Sequence, residues 1–88
     1  MSLSYQVNNE LMIIDDPDDV FYINRLTSLC DKRVSHRLYG DVFFFDGHKI
    51  PGLMYLNYAI FNDYLWLKGR GMQDLGDLII ENMKGRLK

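Results

Sequence analysis

Five consecutive residues, Asp15-Asp16-Pro17-Asp18-Asp19, constrain this chain more than any others. Aspartate is a preferred N-cap because its carboxylate accepts the free amide protons of the first helical turn. Proline suits the first helical position, where its missing N–H leaves nothing unsatisfied. Acids in the first turn are favoured by the helix dipole. The run therefore predicts a helix that starts at Pro17 with Asp16 as its cap. Val20, Tyr22, Ile23, Leu26, Leu29 and Cys30 then share one broad apolar face, which extends the helix to Leu29 or Cys30. Phe21 falls on the opposite, polar side with Asn24, Arg25, Ser28 and Asp31, and reads either as a surface contact or as the mark of an interface.

Upstream, Tyr5-Gln6-Val7 and Glu10 to Ile14 flank Asn8-Asn9, a pair that tolerates positive φ, and read as a short hairpin. Downstream, Arg33 to Tyr39 and Val42 to Asp46 alternate as strands about Gly40-Asp41, where glycine suits the first position of a type II′ turn. That register pairs Tyr39 with Val42 and His36 with Phe45. His48-Lys49-Ile50 reads as a brief third strand after Asp46-Gly47, ended by Pro51. Gly52 to Leu67 admits two readings. Its length and the Lys68-Gly69 end favour a helix, whereas Asn62-Asp63 and the many aromatics admit a hairpin; helix is placed first. Gln73 to Leu87 reads as a helix from the recurrence of Leu75, Leu78, Ile79, Asn82, Met83 and Leu87, with acids early and bases late. Gly76 within it suggests close packing on another element. The expected fold is α+β: a single domain over residues 1–88, with a small, mainly antiparallel sheet of three or more strands against two or three helices.

Composition narrows the function classes. A single cysteine, Cys30, rules out a disulfide within the chain and thus a bridge-stapled secreted scaffold. The first ten residues lack the basic and apolar regions of a signal peptide, and no apolar run approaches the roughly 18 residues of a membrane span. A net charge of −2 argues against general coating of nucleic acid. Charge is nonetheless split: residues 1–31 carry six acids (Glu10, Asp15, Asp16, Asp18, Asp19, Asp31) against Arg25 alone, and the remainder is net basic. Such a split either makes a dipolar surface or reflects helix ends.

Candidate chemistry is sparse. The Asp15–Asp19 carboxylates have the oxygen ligands a hard cation wants, but the spacing lacks the glycine and glutamate of an EF-hand loop, and capping accounts for Asp16, Asp18 and Asp19. His36, His48 and Cys30 show no zinc-site spacing. Cys30, on an apolar helix face, reads as a buried thiol rather than a nucleophile. No phosphate-binding, dinucleotide or nucleophile-elbow motif occurs, and nothing implies a cofactor. Lys68-Gly69-Arg70-Gly71, just before the last helix, reads as an interhelical turn or as an anion nest, with Arg37 and Lys49 as a second basic patch.

Aromatics make up 14% of the chain, more than a core of this size absorbs at roughly 150–250 Å² each. The surplus marks association. The expectation is a non-catalytic, cytoplasmic interaction or accessory domain, acting as a homo-oligomer or docking a protein partner, with Phe21, Tyr39, Phe44, Tyr58 and Trp66 at its contact surface. A nucleic-acid-binding domain using the hairpin, Lys68 and Arg70 is the alternative. A metal-dependent enzyme using the aspartate cluster is the third.

Overall fold

The structure is a computed structural model; it describes residues 2–35, 42–45 and 48–87, with side chains for 2–35 and 56–87. Its elements run β1 (Leu3–Val7), β2 (Glu10–Ile14), α1 (Pro17–Ser35), β3 (Val42–Phe45), β4 (His48–Pro51), α2 (Gly52–Gly69) and α3 (Gln73–Arg86). The fold is α+β, with three helices and antiparallel strand pairs.

The β1–β2 hairpin turns at Asn8-Asn9, both with positive φ (51° and 66°), which short polar side chains tolerate. Its register, from Leu3 opposite Ile14 to Val7 opposite Glu10, puts Leu3, Tyr5, Val7, Met12 and Ile14 on one face. That face packs on the helical core, while Leu11 and Ile13 point outward. Asn8 also ties the turn to α3, donating from Nδ2 to Asp74 Oδ2 at 3.1 Å.

Asp16 caps α1 as its sequence demands: Oδ1 accepts from the backbone N–H of Asp18 at 2.9 Å and of Asp19 at 3.3 Å. The helix does not stop at Cys30, however, but continues to Ser35. Asp31-Lys32-Arg33 contains no breaker, and Lys32 and Arg33 in the last turn suit the negative end of the dipole. The alternation expected to start a strand at Arg33 begins inside this final turn. Of the hairpin expected about Gly40-Asp41, residues 33–35 are helical and residues 36–41 lie outside the described residues, while Val42–Phe45 pairs with His48–Pro51, placing Phe45 opposite His48 and Val42 opposite Pro51. His36, Arg37 and Tyr39 lie outside the described residues. The expected single sheet of three or more strands is, among the described residues, two separate two-stranded sheets. A strand pair that packs on helices does not need a third strand to cover it, which removes the reason to merge the two.

The segment with two readings, Gly52 to Leu67, is helical and runs to Gly69. It ends in a Schellman motif, in which Met72 N–H donates to Leu67 O at 2.9 Å and Gly71 N–H to Lys68 O at 3.1 Å. Gly71, not Gly69, takes the left-handed position, with φ of 80°. Met72 and Leu67, the two positions where this motif brings apolar side chains together, are both buried in the core.

α1, α2 and α3 pack on one another, β1 packs on α3, and the β3–β4 hairpin contacts α2. Ile23 and Leu26 of α1, Leu67 of α2 and Leu75 of α3 are the fully enclosed apolar side chains at the centre. Gly76 lets α3 approach α2, since a Cβ there would lie 2.9 Å from Tyr64 Cδ2. No helix among the described residues is long and apolar enough to cross a membrane.

Candidate interaction surface

α1 and α2 run antiparallel, and a ladder of polar and aromatic contacts joins them. From the C-terminal end of α1 backwards, Arg33 Nε donates to Asn57 Oδ1 at 3.2 Å, and Arg25 binds Asp63. Tyr22 then stacks on Trp66 with centroids 4.0 Å apart and planes 11° from parallel. At the N-terminus of α1, Arg70 binds Asp19 through Nε at 3.0 Å and a terminal nitrogen at 3.3 Å. Cations also cover the rings: Arg25 lies 4.8 Å from the Tyr22 centroid and 5.1 Å from that of Phe21, and Arg70 lies 5.5 Å from Trp66.

The ladder decides several candidate residues. Trp66 is half-buried, with one face against Tyr22 and Arg70 nearby. Arg70, expected at an anion nest, is engaged by two bonds to Asp19 and an approach of 3.6 Å to Asp16, and the hydrogen bond to Asp19 raises its pKa further. Gly69 and Gly71 belong to the turn that ends α2, and Lys68 is exposed beside them. Arg37 lies outside the described residues, and of Lys49 only its backbone place in β4 is described. Asp16 and Asp19 serve the cap and Arg70. Among the described residues, no three histidine, cysteine or acidic side chains converge as metal ligands.

The split of charge along the sequence reappears as pairing between elements. Acids of α1 meet bases of the later helices, Asp19 with Arg70 and Asp31 with Arg86 at 2.7 Å, while Arg25 of α1 meets Asp63 of α2. These three pairs join opposite charges across the helix interfaces. Cys30 is buried, and desolvation first, then the neighbouring charge of Asp31, pushes its thiol pKa from 9.0 to about 11. It is held as an inert thiol, as its apolar face implies.

One surface lacks a covering. α2 is apolar nearly all round, a pattern that normally marks a helix enclosed on every side. Here Leu56, Ile60, Asp63 and Leu67 face inward, whereas Tyr58, Phe61 and Leu65 are 67%, 59% and 45% exposed. These three recur at three-, four- and seven-residue spacing and so form one stripe. Phe21 of α1 is 55% exposed beside Arg25, which reaches from the Phe21 ring to the inward-facing Asp63 of α2. On the other flank, a groove of about 340 Å³ lies between α2 and α3, where Ile60, Phe61, Ile80 and Met83 meet the polar and charged side chains of Asn57, Tyr64, Asp77, Glu81 and Lys84. There the Tyr64 hydroxyl donates to Asp77 Oδ1 at 2.6 Å, a bond that, with burial, raises its pKa.

Of the five aromatics expected at a contact surface, Phe21 stands exposed on α1 and Tyr58 stands exposed within this stripe. Trp66 is turned into the helix interface. Tyr39 lies outside the described residues, and Phe44 is placed only as a backbone position in β3. Phe61 and Leu65 were missed, although their spacing from Tyr58 contained the signal once the segment is read as a helix. Comparisons with models of known families, with curated proteins and with solved structures find no match to this chain.

Proposed function

We propose that this chain is a non-catalytic interaction domain of the cytoplasm, whose working surface is the exposed face of α2. The observation that carries this reading is the stripe Tyr58, Phe61 and Leu65, three large apolar side chains in contiguous positions on a helix whose opposite side, Leu56, Ile60, Asp63 and Leu67, is enclosed. Contiguous exposed apolar surface on a folded domain marks a docking site. The charged groups support the non-catalytic part. Arg25, Arg70 and Arg86 are each joined to a carboxylate, and Cys30 is enclosed as a thiol, so these groups serve the fold. A lone buried thiol accords with a reducing compartment.

The test is site-specific photo-crosslinking in cells that make the protein. A benzophenone-bearing phenylalanine at position 61 should give a discrete adduct of higher mass, and the same group at position 28, on the exposed side of α1, should not. Equal adducts at both positions, or none at either, would overturn the reading.

A further inference from the structure

We infer that the groove between α2 and α3 binds a small organic cation, an ammonium group carried on an apolar body of about the size of a phenyl ring. The site adjoins the exposed stripe of α2 but does not depend on a protein partner docking there.

The partner of Asp77 carries the inference. A carboxylate withdrawn from water needs a compensating charge or several donors. Elsewhere among the described residues the chain supplies that charge itself: Asp19 meets Arg70, Asp63 meets Arg25, Asp31 meets Arg86 and Glu81 meets Lys84. Asp77 is half-buried on the wall of the groove, yet the group that reaches its Oδ1 is the neutral hydroxyl of Tyr64. Among the described residues no cation pairs with it. The first base after it in α3, Lys84, lies two turns on and 3.6 Å from Glu81. Two acids against one base leave the groove net negative. The rest of the lining sets what brings the missing charge. Phe61 and Tyr64 place aromatic rings beside the carboxylates, and a ring face attracts a cation within about 6 Å. Ile60, Ile80 and Met83 supply an apolar wall for a hydrocarbon body. The volume of about 340 Å³ lies within the range of small-ligand sites, roughly 300–1,000 Å³. Tyr64 already occupies Oδ1, which leaves the second oxygen for a single donor. An ammonium meets it as a point charge, whereas a guanidinium binds best against two open oxygens.

The experiment is an NMR titration of the purified chain, labelled in its methionine methyl groups, with 2-phenylethylammonium. The neutral 2-phenylethanol and the anionic 3-phenylpropanoate are the controls. The Met83 methyl, assigned through Met83→Leu, should shift saturably with the ammonium probe. Its affinity should exceed that of the alcohol by about ten-fold, and the anion should not bind. Asp77→Asn keeps an acceptor for the Tyr64 hydroxyl and removes the charge. It should abolish the preference for the ammonium while leaving the far-ultraviolet circular dichroism unchanged. Asp74→Asn removes the same charge from the same helix outside the groove, and should keep the preference. Equal affinity for ammonium and alcohol in the wild type, or equal loss of preference in the two variants, would overturn the inference. So would the absence of a saturable shift at Met83 up to about 10 mM probe, the weak limit for a ligand of this size. The wild-type preference is read without any variant, so loss of fold in Asp77→Asn leaves the test intact.

Discussion

The guanidinium of Arg25 reaches across 38 residues of sequence to hold Asp63 in a two-pronged grip, Nε to Oδ2 at 2.8 Å and a terminal nitrogen to Oδ1 at 2.5 Å. The two ends of the pair differ in surroundings. The Asp63 side chain is 1% exposed, whereas that of Arg25 is 41% exposed and spreads over the Phe21 and Tyr22 rings. The carboxylate thus has little water to turn to, and its other donor is Asn62 Nδ2 at 3.3 Å. Its position also fixes α1 against α2 beside the stack of Tyr22 on Trp66.

Removing Arg25 alone should therefore be costly. Arg25→Met keeps much of the apolar stem and strands the carboxylate. Its expected cost is about 2–3 kcal/mol, below the full range for a wholly buried pair because Arg25 is partly solvated. Adding Asp63→Leu removes the stranded charge, so the double variant should recover at least half of that loss. Urea unfolding of the wild type, both single variants and the double variant measures the coupling. Strictly additive losses would show that the pair is not a coupled unit.

Two glycines of α3 should respond in opposite senses to alanine. At Gly76 the new Cβ would lie 2.9 Å and 3.0 Å from two carbons of the Tyr64 ring, which its hydroxyl anchors to Asp77. Overpacking of about 1–3 kcal/mol should outweigh the gain of up to about 1 kcal/mol in helix propensity. At Gly85 nothing lies within 4 Å of such a Cβ, so only the gain remains, from a few tenths to about 1 kcal/mol this close to the helix end. Thermal melts of Gly76→Ala and Gly85→Ala should move down and up respectively. A stabilised Gly76→Ala would mean that α2 and α3 are not held at this distance.

What the sequence revealed was what neighbouring residues decide among themselves. Asn8-Asn9 turns a hairpin and Asp16 caps a helix because the atoms concerned lie within three residues of each other. The end of α1 was misread because Val34, His36 and Leu38 alternate as a strand would, and the local pattern gives no sign that Arg33 is needed as a helical partner for Asn57. Gly69 and Gly71 are both free to take the left-handed cap, and only the bond from Met72 N–H to Leu67 O chooses Gly71. The candidate surface was half legible. Tyr58 stood out as an aromatic, and the spacing of Phe61 and Leu65 from it makes them neighbours on a helix, but which face of so apolar a helix stays open depends on the burial of Asp63 against Arg25 of another helix. The partner of Arg70 was not legible for the same reason, since Asp19 lies 51 residues away.

The cap makes a prediction that separates structure from metal binding. Asp16→Ala should cost about 0.5–2 kcal/mol, and Asp15→Ala much less, because only Asp16 accepts from the first-turn amides. Asp16→Asn keeps the accepting oxygen and should restore most of the loss. Urea midpoints, taken with and without 5 mM Mg²⁺ or Ca²⁺, provide the measurement. Equal losses at Asp15 and Asp16, accompanied by a cation-dependent midpoint, would assign the cluster to a metal instead.

Cys30 supplies a pH-dependent prediction. Burial first, and then the charge of Asp31, raises its thiol pKa from 9.0 to about 11, while Arg86 opposes them. The folded chain thus favours the neutral thiol. The stability this contributes is complete below pH 9, where both folded and unfolded chains hold the proton, and is lost as pH rises from 9 towards 11. At pH 8 the thiolate should be about 100-fold scarcer than in the unfolded chain, and enclosure slows attack further. Native protein should therefore react with iodoacetamide at least 100-fold more slowly than protein in 8 M urea. The stability difference between wild type and Cys30→Ala should narrow between pH 9 and 11, when midpoints are compared at matched ionic strength. Rapid native labelling at pH 8, or a difference that stays constant to pH 11, would show that the thiol is neither enclosed nor held in its neutral form.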